Sequence, residues 1–143
     1  MDGSTEGLTV LVLVLDDHDR IQVIWSVLLA AAGVEYIGAR DLGSAKTLIG
    51  RCHVDVVVID EHLANAHEPG SDFAIWLQAQ TDPSLSGMPI LACTSDQSPA
   101  SRERLLAAGA SFVINKPIDA RQALPLIEGL AQRIGSHPIR RKG

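Results

Sequence analysis

Aromatic side chains are scarce: two Trp, one Tyr and two Phe make up 3% of the 143 residues. A core with so few rings must be aliphatic, assembled from Val, Leu, Ile and Ala. Cysteine is as rare. Cys52 and Cys93 stand far apart with no CxxC or other metal-ligand spacing, so a disulfide scaffold is a poor starting point and two reduced thiols are expected. Long apolar runs are missing as well. The longest, 10–15 and 27–32, fall far short of the roughly 20 residues that span a bilayer, so no membrane insertion is expected. Residues 1–7 are polar and acidic and lack the charged-then-apolar pattern of a secretory signal, which makes a cytoplasmic location the expectation. Positive charge is in deficit. A net charge of −5 and a pI near 5.4 leave no electrostatic footprint for direct binding of nucleic acid.

What remains is an ordinary globular composition, 46% hydrophobic and 20% charged, in a chain of 15.2 kDa that suits one domain. Apolar runs alternate with amphipathic stretches. Residues 10–15 form a continuous Val/Leu run with the look of a strand buried on both faces. Ile21, Ile24, Trp25, Leu28, Leu29 and Ala32 then recur at helical spacing, with Gly33 as a stop signal. A short second strand is expected over 35–39 and a helix over 42–51, burying Ala45, Leu48 and Ile49. The most strand-like stretch, 54–59, ends in acid at Asp60. A polar loop runs to Gly70, followed by a helix over 72–80 carrying Phe73, Trp76 and Leu77. A fourth strand is expected over 89–93, a fourth helix over 99–108 and a fifth strand over 111–114. The last helix, 119–134, carries Leu126, Ile127, Leu130 and Ile134 as its buried stripe, with Asp119 and Gln122 as a capping box. Pro125 inside it predicts a kink or a late start. Five strands alternating with five helices through short links give an α/β fold, a doubly wound, mostly parallel sheet. Residues 1–7 read as a tail, 8–135 as the domain, and 136–143, with Arg140, Arg141 and Lys142, as a tail or linker.

In such a sheet the carboxyl ends of the strands share one edge, where ligands bind. Asp16 and Asp17 follow the first strand, Asp60 the third, Thr94 and Ser95 the fourth, and Lys116 with Pro117 the fifth. Three carboxylates held together repel one another and raise each other's pKa unless a cation sits among them. Oxygen-only ligands suit Mg²⁺, and a carboxylate can attack phosphorus to form an acyl phosphate. A metal, a lysine and a hydroxyl could then neutralise the new phosphoryl group. Singly, each residue has a plainer role: an Asp that ends a strand is commonly a turn or cap, Lys-Pro a solvated loop, and Thr94, Ser95, Asp96 or Ser98 a helix cap. Together they place all the chemistry on one edge, the arrangement of a phosphorylatable switch.

Other chemistries fit less well. A Rossmann domain needs GxGxxG after the first strand, and a flavin carrier needs a phosphate loop rich in hydroxyls and glycine; here that turn is Asp-Asp-His-Asp. An aspartate-nucleophile phosphohydrolase of the haloacid dehalogenase type pairs its nucleophile with a second Asp two residues on. Asp17 with Asp19 meets that spacing, but the chain lacks room for the usual cap. A module that binds partners without being phosphorylated is the remaining alternative.

Over residues 8–135 the sequence resembles the receiver domain of two-component response regulators, of the chemotaxis-regulator type. The resemblance lies in Asp16-Asp17 after an apolar strand, Asp60 after VDVVVI, Thr94 in MPILACTS, Gly109-Ala110, and Lys116-Pro117 in FVINKPID. It implies a flavodoxin-like receiver fold with Asp60 as phosphoacceptor. It also implies Mg²⁺ held by Asp17, by Asp16 partly through water, by Asp60 and by the backbone carbonyl of His62. Lys116 would pair with the phosphoryl group and Thr94 would be the switching hydroxyl. The donor would be a phosphohistidine on a sensor histidine kinase or a histidine phosphotransfer protein. Catalysis would be limited to self-phosphorylation and slow autodephosphorylation. The conformational change would be read, and a homodimer formed, on the face of the fourth helix, fifth strand and fifth helix.

Three departures from the family pattern stand out. Val113 occupies the place of the usual aromatic three residues before the lysine, and strand alternation turns Phe112 to the opposite face. The usual Pro and Gly of the loop after the acceptor are replaced by Ala64 and Glu68, with Pro69-Gly70 displaced, so the loop is longer by about two residues. Ser95 replaces a smaller residue. Among the histidines, His18 and His62 are expected near the acidic edge, but His18, His53, His62 and His67 show no recognised zinc spacing, which argues against a dedicated transition-metal site. His62 is expected to tune how water reaches an acyl phosphate.

Overall fold

The computed structural model describes residues 9–63 and 67–135. The apolar runs form five strands: β1 (Leu11–Leu15), β2 (Glu35–Ala39), β3 (Val56–Asp60), β4 (Ile90–Thr94) and β5 (Phe112–Asn115). They pair in parallel in the order β2-β1-β3-β4-β5. Between and after them lie α1 (Asp19–Ala31), α2 (Leu42–Arg51), α3 (Ser71–Gln78), α4 (Pro99–Ala108) and α5 (Ala120–Gly135). The short links from strand to helix and the reversal of strand order around β1 and β3 put every strand's carboxyl end on one edge.

Strand alternation builds two aliphatic layers. Leu13, Leu15, Val57, Ile59, Ile90, Ala92 and Val113 pack with Ala45 and Ile49 of α2, Phe73 and Leu77 of α3, and Leu105 of α4. Val12, Val14, Val56, Val58, Leu91, Cys93 and Ile114 pack with Trp25 and Leu29 of α1 and with Ala123, Ile127 and Leu130 of α5. The expected stripe of α1 is rotated slightly: Ile24 is exposed, while the polar Gln22 is buried. Gly33, at φ +75°, closes α1 in the left-handed conformation that glycine favours.

Three details correct the sequence reading. A sixth, four-residue helix, Pro83–Ser86, joins the five expected; Asp82 caps it by accepting from the Ser84 N–H, and Pro83 occupies its first turn. The loop after Asp60 carries a two-residue antiparallel ladder, His62–Leu63 against Glu68–Pro69. Third, α5 does not start late. It begins at Ala120 behind Asp119, whose carboxylate accepts from the Arg121 N–H at 2.9 Å, and it carries Pro125 on its exposed side. Of the four residues offered as the cap of α4, Ser98 takes the role by accepting from the Ser101 N–H. The expected tails 1–7 and 136–143, Ala64 of the loop, and the side chain of Ile134 lie outside the described residues. No helix among the described residues is long and apolar enough to cross a membrane.

Asp41 caps α2 by accepting from the Ser44 N–H at 2.7 Å, and that hydrogen bond holds its carboxyl below the ordinary value of 3.8. Replacing Asp41 by Ala is expected to lower stability by about 1 kcal/mol at neutral pH. A lowered carboxyl pKa contributes stability that is present above 3.8 and lost as pH falls through the folded value, so the difference should close in acid. Urea unfolding of the two proteins side by side at neutral and acid pH checks this; an equal gap at both would refute the capping role.

Candidate functional site

β1 and β3 deliver their acids at the same level of the sheet, because Leu15 stands in register with Ile59. Asp16, Asp17 and Asp60 are all buried. The Asp16 backbone is fixed at both its N–H and its carbonyl. Its N–H donates to the Ala39 carbonyl at 3.0 Å. The buried Gln22 amide donates to the carbonyls of Val14, Asp16 and Ala39 at 3.1, 2.8 and 2.9 Å. The Tyr36 hydroxyl donates to the oxygen of that same amide. Nothing in the polar character of Gln22 marked it in the sequence as an inward residue.

Lys116 reaches the same point from β5. Its backbone N–H donates to the Thr94 carbonyl at 2.9 Å, and its peptide bond to Pro117 is cis. The Lys116 ammonium lies 3.0 Å from Asp60 Oδ1 and 3.6 Å from Asp16 Oδ2. Burial pushes the Lys116 pKa down, but the hydrogen bond and charge of Asp60, with the charge of Asp16, outweigh it, and the net shift is upward. Asp16 is shifted up, first by burial and further by the Asp60 charge, against the opposing His18 N–H and Lys116. Burial also pushes the Cys93 thiol far up, so it is an inert neighbour of the acids.

Asp60 is held unevenly. Oδ1 takes the Lys116 ammonium and, at 3.2 Å, the His62 N–H. Oδ2 is buried and has no hydrogen-bond partner among the described residues. Ligand atoms of Asp16, Asp17, His18 and Asp60 all lie within 4.8 Å of one another. This mostly oxygen set, with one buried oxygen left over, fits a hard divalent cation. Thr94 is buried one position beyond the β3–β4 register pair Asp60 and Cys93, and its hydroxyl accepts from the Asp96 N–H at 3.0 Å.

An open cleft of about 680 Å³ lies beyond the ends of β3 and β4, lined by Glu61, His62, Thr94, Ser95, Asp96 and Arg104, among others. The imidazole of His62 is exposed on it, as the sequence led one to expect, and Ser95 is exposed at its rim. Asp19, by contrast, is turned away. It pairs with Arg40 at 2.7 Å, so the Asp17–Asp19 arrangement of a dehalogenase-type hydrolase is not assembled. Val113 is buried and Phe112 exposed, as alternation requires.

The loop after Asp60 is tied down by two acids to which sequence reading assigns no role. Glu61 accepts from the Ser71 N–H at 2.9 Å at the start of α3 and pairs with Arg104 of α4. Glu68 accepts from the Leu42 N–H at 3.2 Å at the start of α2. Both carboxylates sit where a helix N-terminus favours negative charge. The only trace of this in the sequence is an acid at each end of the loop.

Comparison with known proteins agrees with this geometry. A family model described as the response regulator receiver domain matches residues 12–128. The polar-differentiation response regulator DivK of Brucella abortus is 26% identical over 121 residues, which cover 85% of this chain and 95% of that protein. The solved structure of chemotaxis protein CheY4 from Vibrio cholerae superposes with a TM-score of 0.77 at 25% identity, covering 85% of this chain and 98% of that one. A receiver domain from a Francisella response regulator gives a TM-score of 0.78 at 22% identity, covering 88% and 99%. With the strand order, the acids at the ends of β1 and β3 and the lysine after β5 already in place, these matches show that the chain belongs to the receiver-domain family of two-component response regulators.

Proposed function

We propose that the domain, residues 8–135, is a switch worked by Mg²⁺-dependent phosphorylation of Asp60. The observation that carries this reading is the asymmetry of the buried Asp60 carboxylate. One oxygen is anchored by Lys116 and the His62 N–H, and the other has no hydrogen-bond partner among the described residues. A carboxylate anchored at one oxygen, with the other left for a cation, is held in the fixed orientation that a nucleophile needs.

The donor is a phosphohistidine on a sensor histidine kinase or a histidine phosphotransfer protein. A carboxylate oxygen of Asp60 bonds to phosphorus while the P–N bond breaks. The electron pair of that bond stays on the imidazole nitrogen, which takes up a proton. Discharge follows when a water oxygen bonds to phosphorus and the bond to Asp60 breaks, giving back the carboxylate and inorganic phosphate. Asp16, Asp17, Asp60 and the backbone carbonyl of His62 would hold Mg²⁺, which when bound supplies positive charge beside the phosphoryl oxygens. Lys116 keeps Asp60 in place before transfer and offers its ammonium to the phosphoryl group afterwards. The Thr94 hydroxyl already accepts from the Asp96 N–H, so its own proton is available to donate to a phosphoryl oxygen, a contact that exists only after transfer. The resulting shift is read on the face of α4, β5 and α5, which is also the face for a homodimer. Such a domain works in the cytoplasm, where its donors are.

Intact mass after incubation with acetyl phosphate tests the reading. Addition of one phosphoryl group is expected with Mg²⁺, none without it, and none for Asp60→Asn. No addition under any condition, phosphorylated kinase included, would instead make the domain an adaptor that binds a constitutive partner.

A further inference from the structure

We propose that His18 is a ligand of the acidic cluster and shifts its preference from Mg²⁺ toward first-row transition cations that accept an imidazole nitrogen. The inference rests on the metal-binding part of the reading above and adds a residue and a cation class to it.

His18 Nδ1 lies 3.0 Å from Asp17 Oδ1 and 3.4 Å from Asp16 Oδ1. Two ligands at right angles on one ion, with bonds of about 2.1 Å, stand about 3.0 Å apart, and two on opposite sides about 4.2 Å. The separations at His18 match neighbouring ligands of a single ion, and the four ligand atoms of the cluster, within 4.8 Å of one another, need close by only a few tenths of an ångström to share it. A separate observation points the same way. Asp60 is 3% exposed, yet its Oδ2 has no hydrogen-bond partner among the described residues, so a buried anionic oxygen of the cluster is left for a ligand. His18 is well placed for the role. It occupies the residue just before α1, and its N–H donates to Asp16 Oδ1 at 2.9 Å, which fixes where the side chain starts. The side chain is 54% exposed, so an arriving ion can reach the ring.

Mg²⁺ holds water and carboxylate oxygen and gains little from imidazole, whereas Co²⁺, Ni²⁺ and Zn²⁺ gain from a nitrogen ligand. Three carboxylates with one imidazole therefore separate the two classes of cation. A plain ion pair of an imidazolium with the two acids has the opposite consequence, because removing it would strengthen binding of every divalent cation alike.

Calorimetric titration of the full chain and of His18→Ala with Co²⁺ and with Mg²⁺, with the visible absorption of bound Co²⁺ as a second readout, decides between them. The substitution is expected to weaken Co²⁺ by about tenfold or more, to shift its absorption band, and to leave Mg²⁺ within about twofold. Equal changes for both ions, or an unchanged Co²⁺ affinity, would overturn the proposal. Cobalt held by His53, His62 or His67 instead would bind both proteins alike and count against it. Binding of both ions without discrimination removes this inference alone. If neither ion binds the wild type, the metal requirement of the phosphorylation reading falls with it. Transfer to Asp60 itself is judged by mass and not by this titration.

Discussion

Replacement of Lys116 by Met is expected to lower the stability of the metal-free protein by about 3 kcal/mol at neutral pH. The ammonium is the counter-charge that the structure sets between Asp16 and Asp60, 3.6 and 3.0 Å away. Removing it leaves two buried carboxylates facing each other, and a buried charge stripped of its partner is costly even where the intact pair adds little. The pH profile carries the diagnostic. The raised pKa of Asp16 gives stability that is fully present below 3.8 and is lost as pH rises through the folded value. Without Lys116, one of the influences that lowers this pKa is gone, so the loss becomes larger in the variant. The raised pKa of Lys116 gives stability present below 10.5 that is lost as pH rises through its own folded value, a decline the variant cannot show. The gap between the two proteins should therefore narrow in acid and again in strong alkali. Urea unfolding in a chelator across that range would show it. A gap of constant size would mean that Lys116 acts through packing and not through charge.

Gly70→Ala should be damaging for a different reason. Gly70 has an ordinary helical conformation, φ −62° and ψ −28°, so glycine is not required there by its backbone angles. Space requires it. A Cβ at that position would lie 1.9 Å from the Asp60 carbonyl oxygen, 2.9 Å from its carbon and 3.4 Å from Glu61 Cα. None of these atoms is the tip of a flexible side chain. Either the end of β3 or the start of α3 must move, at a cost of about 3 kcal/mol, the upper part of the usual range for overpacking. Because the displaced atoms carry the Asp60 side chain, phosphoryl incorporation should fall with stability. Gly129→Ala is the matched control. It lies in α5 with nothing within 4 Å of the new carbon, and it should stabilise by about 0.5–1 kcal/mol. Thermal unfolding with acetyl-phosphate labelling of both variants gives the comparison, and a Gly70→Ala protein that folds and labels like wild type would refute the packing argument.

The Gly70 contact also shows where sequence reading stopped. The displaced Pro69-Gly70 pair marked the loop as longer, but only the structure shows that the loop still brings a glycine against the Asp60 carbonyl. β1, β3 and β4 were legible because each is an apolar run whose burial on both faces leaves little room for polar residues, whereas β2 and β5, the half-buried edges, were legible as short stretches between helical patterns. The acids and the lysine were legible because they sit one step past those runs, and a doubly wound sheet sends every such step to one edge. The helix Pro83–Ser86 was too short to have a period, although Asp82-Pro83 is a proper start signal. The ladder His62–Leu63 with Glu68–Pro69 has no alternation long enough to see. Gln22 was hidden for the opposite reason. Hydrophobic periodicity sorts residues by polarity, and Gln22 is buried because its amide bridges the backbone carbonyls of Val14, Asp16 and Ala39.

The register of the sheet has a consequence for how the chain acquires its structure. Every pairing in it is between strands distant in sequence: Leu11 with Glu35, Val12 with Val56, Val57 with Ile90, Leu91 with Phe112. No tight hairpin is available to nucleate the sheet, so each pairing must first close a long loop, and assembly is slow for a chain of this size. During synthesis β1 and β2 can meet early, but the second edge of β1 stays open until β3 has emerged. For that interval an edge made of Val12, Leu13, Val14 and Leu15 is unpaired, the kind of edge that invites another chain to add a strand. Truncation of this domain before Asp60 is therefore expected to leave an aggregation-prone fragment rather than a smaller folded unit.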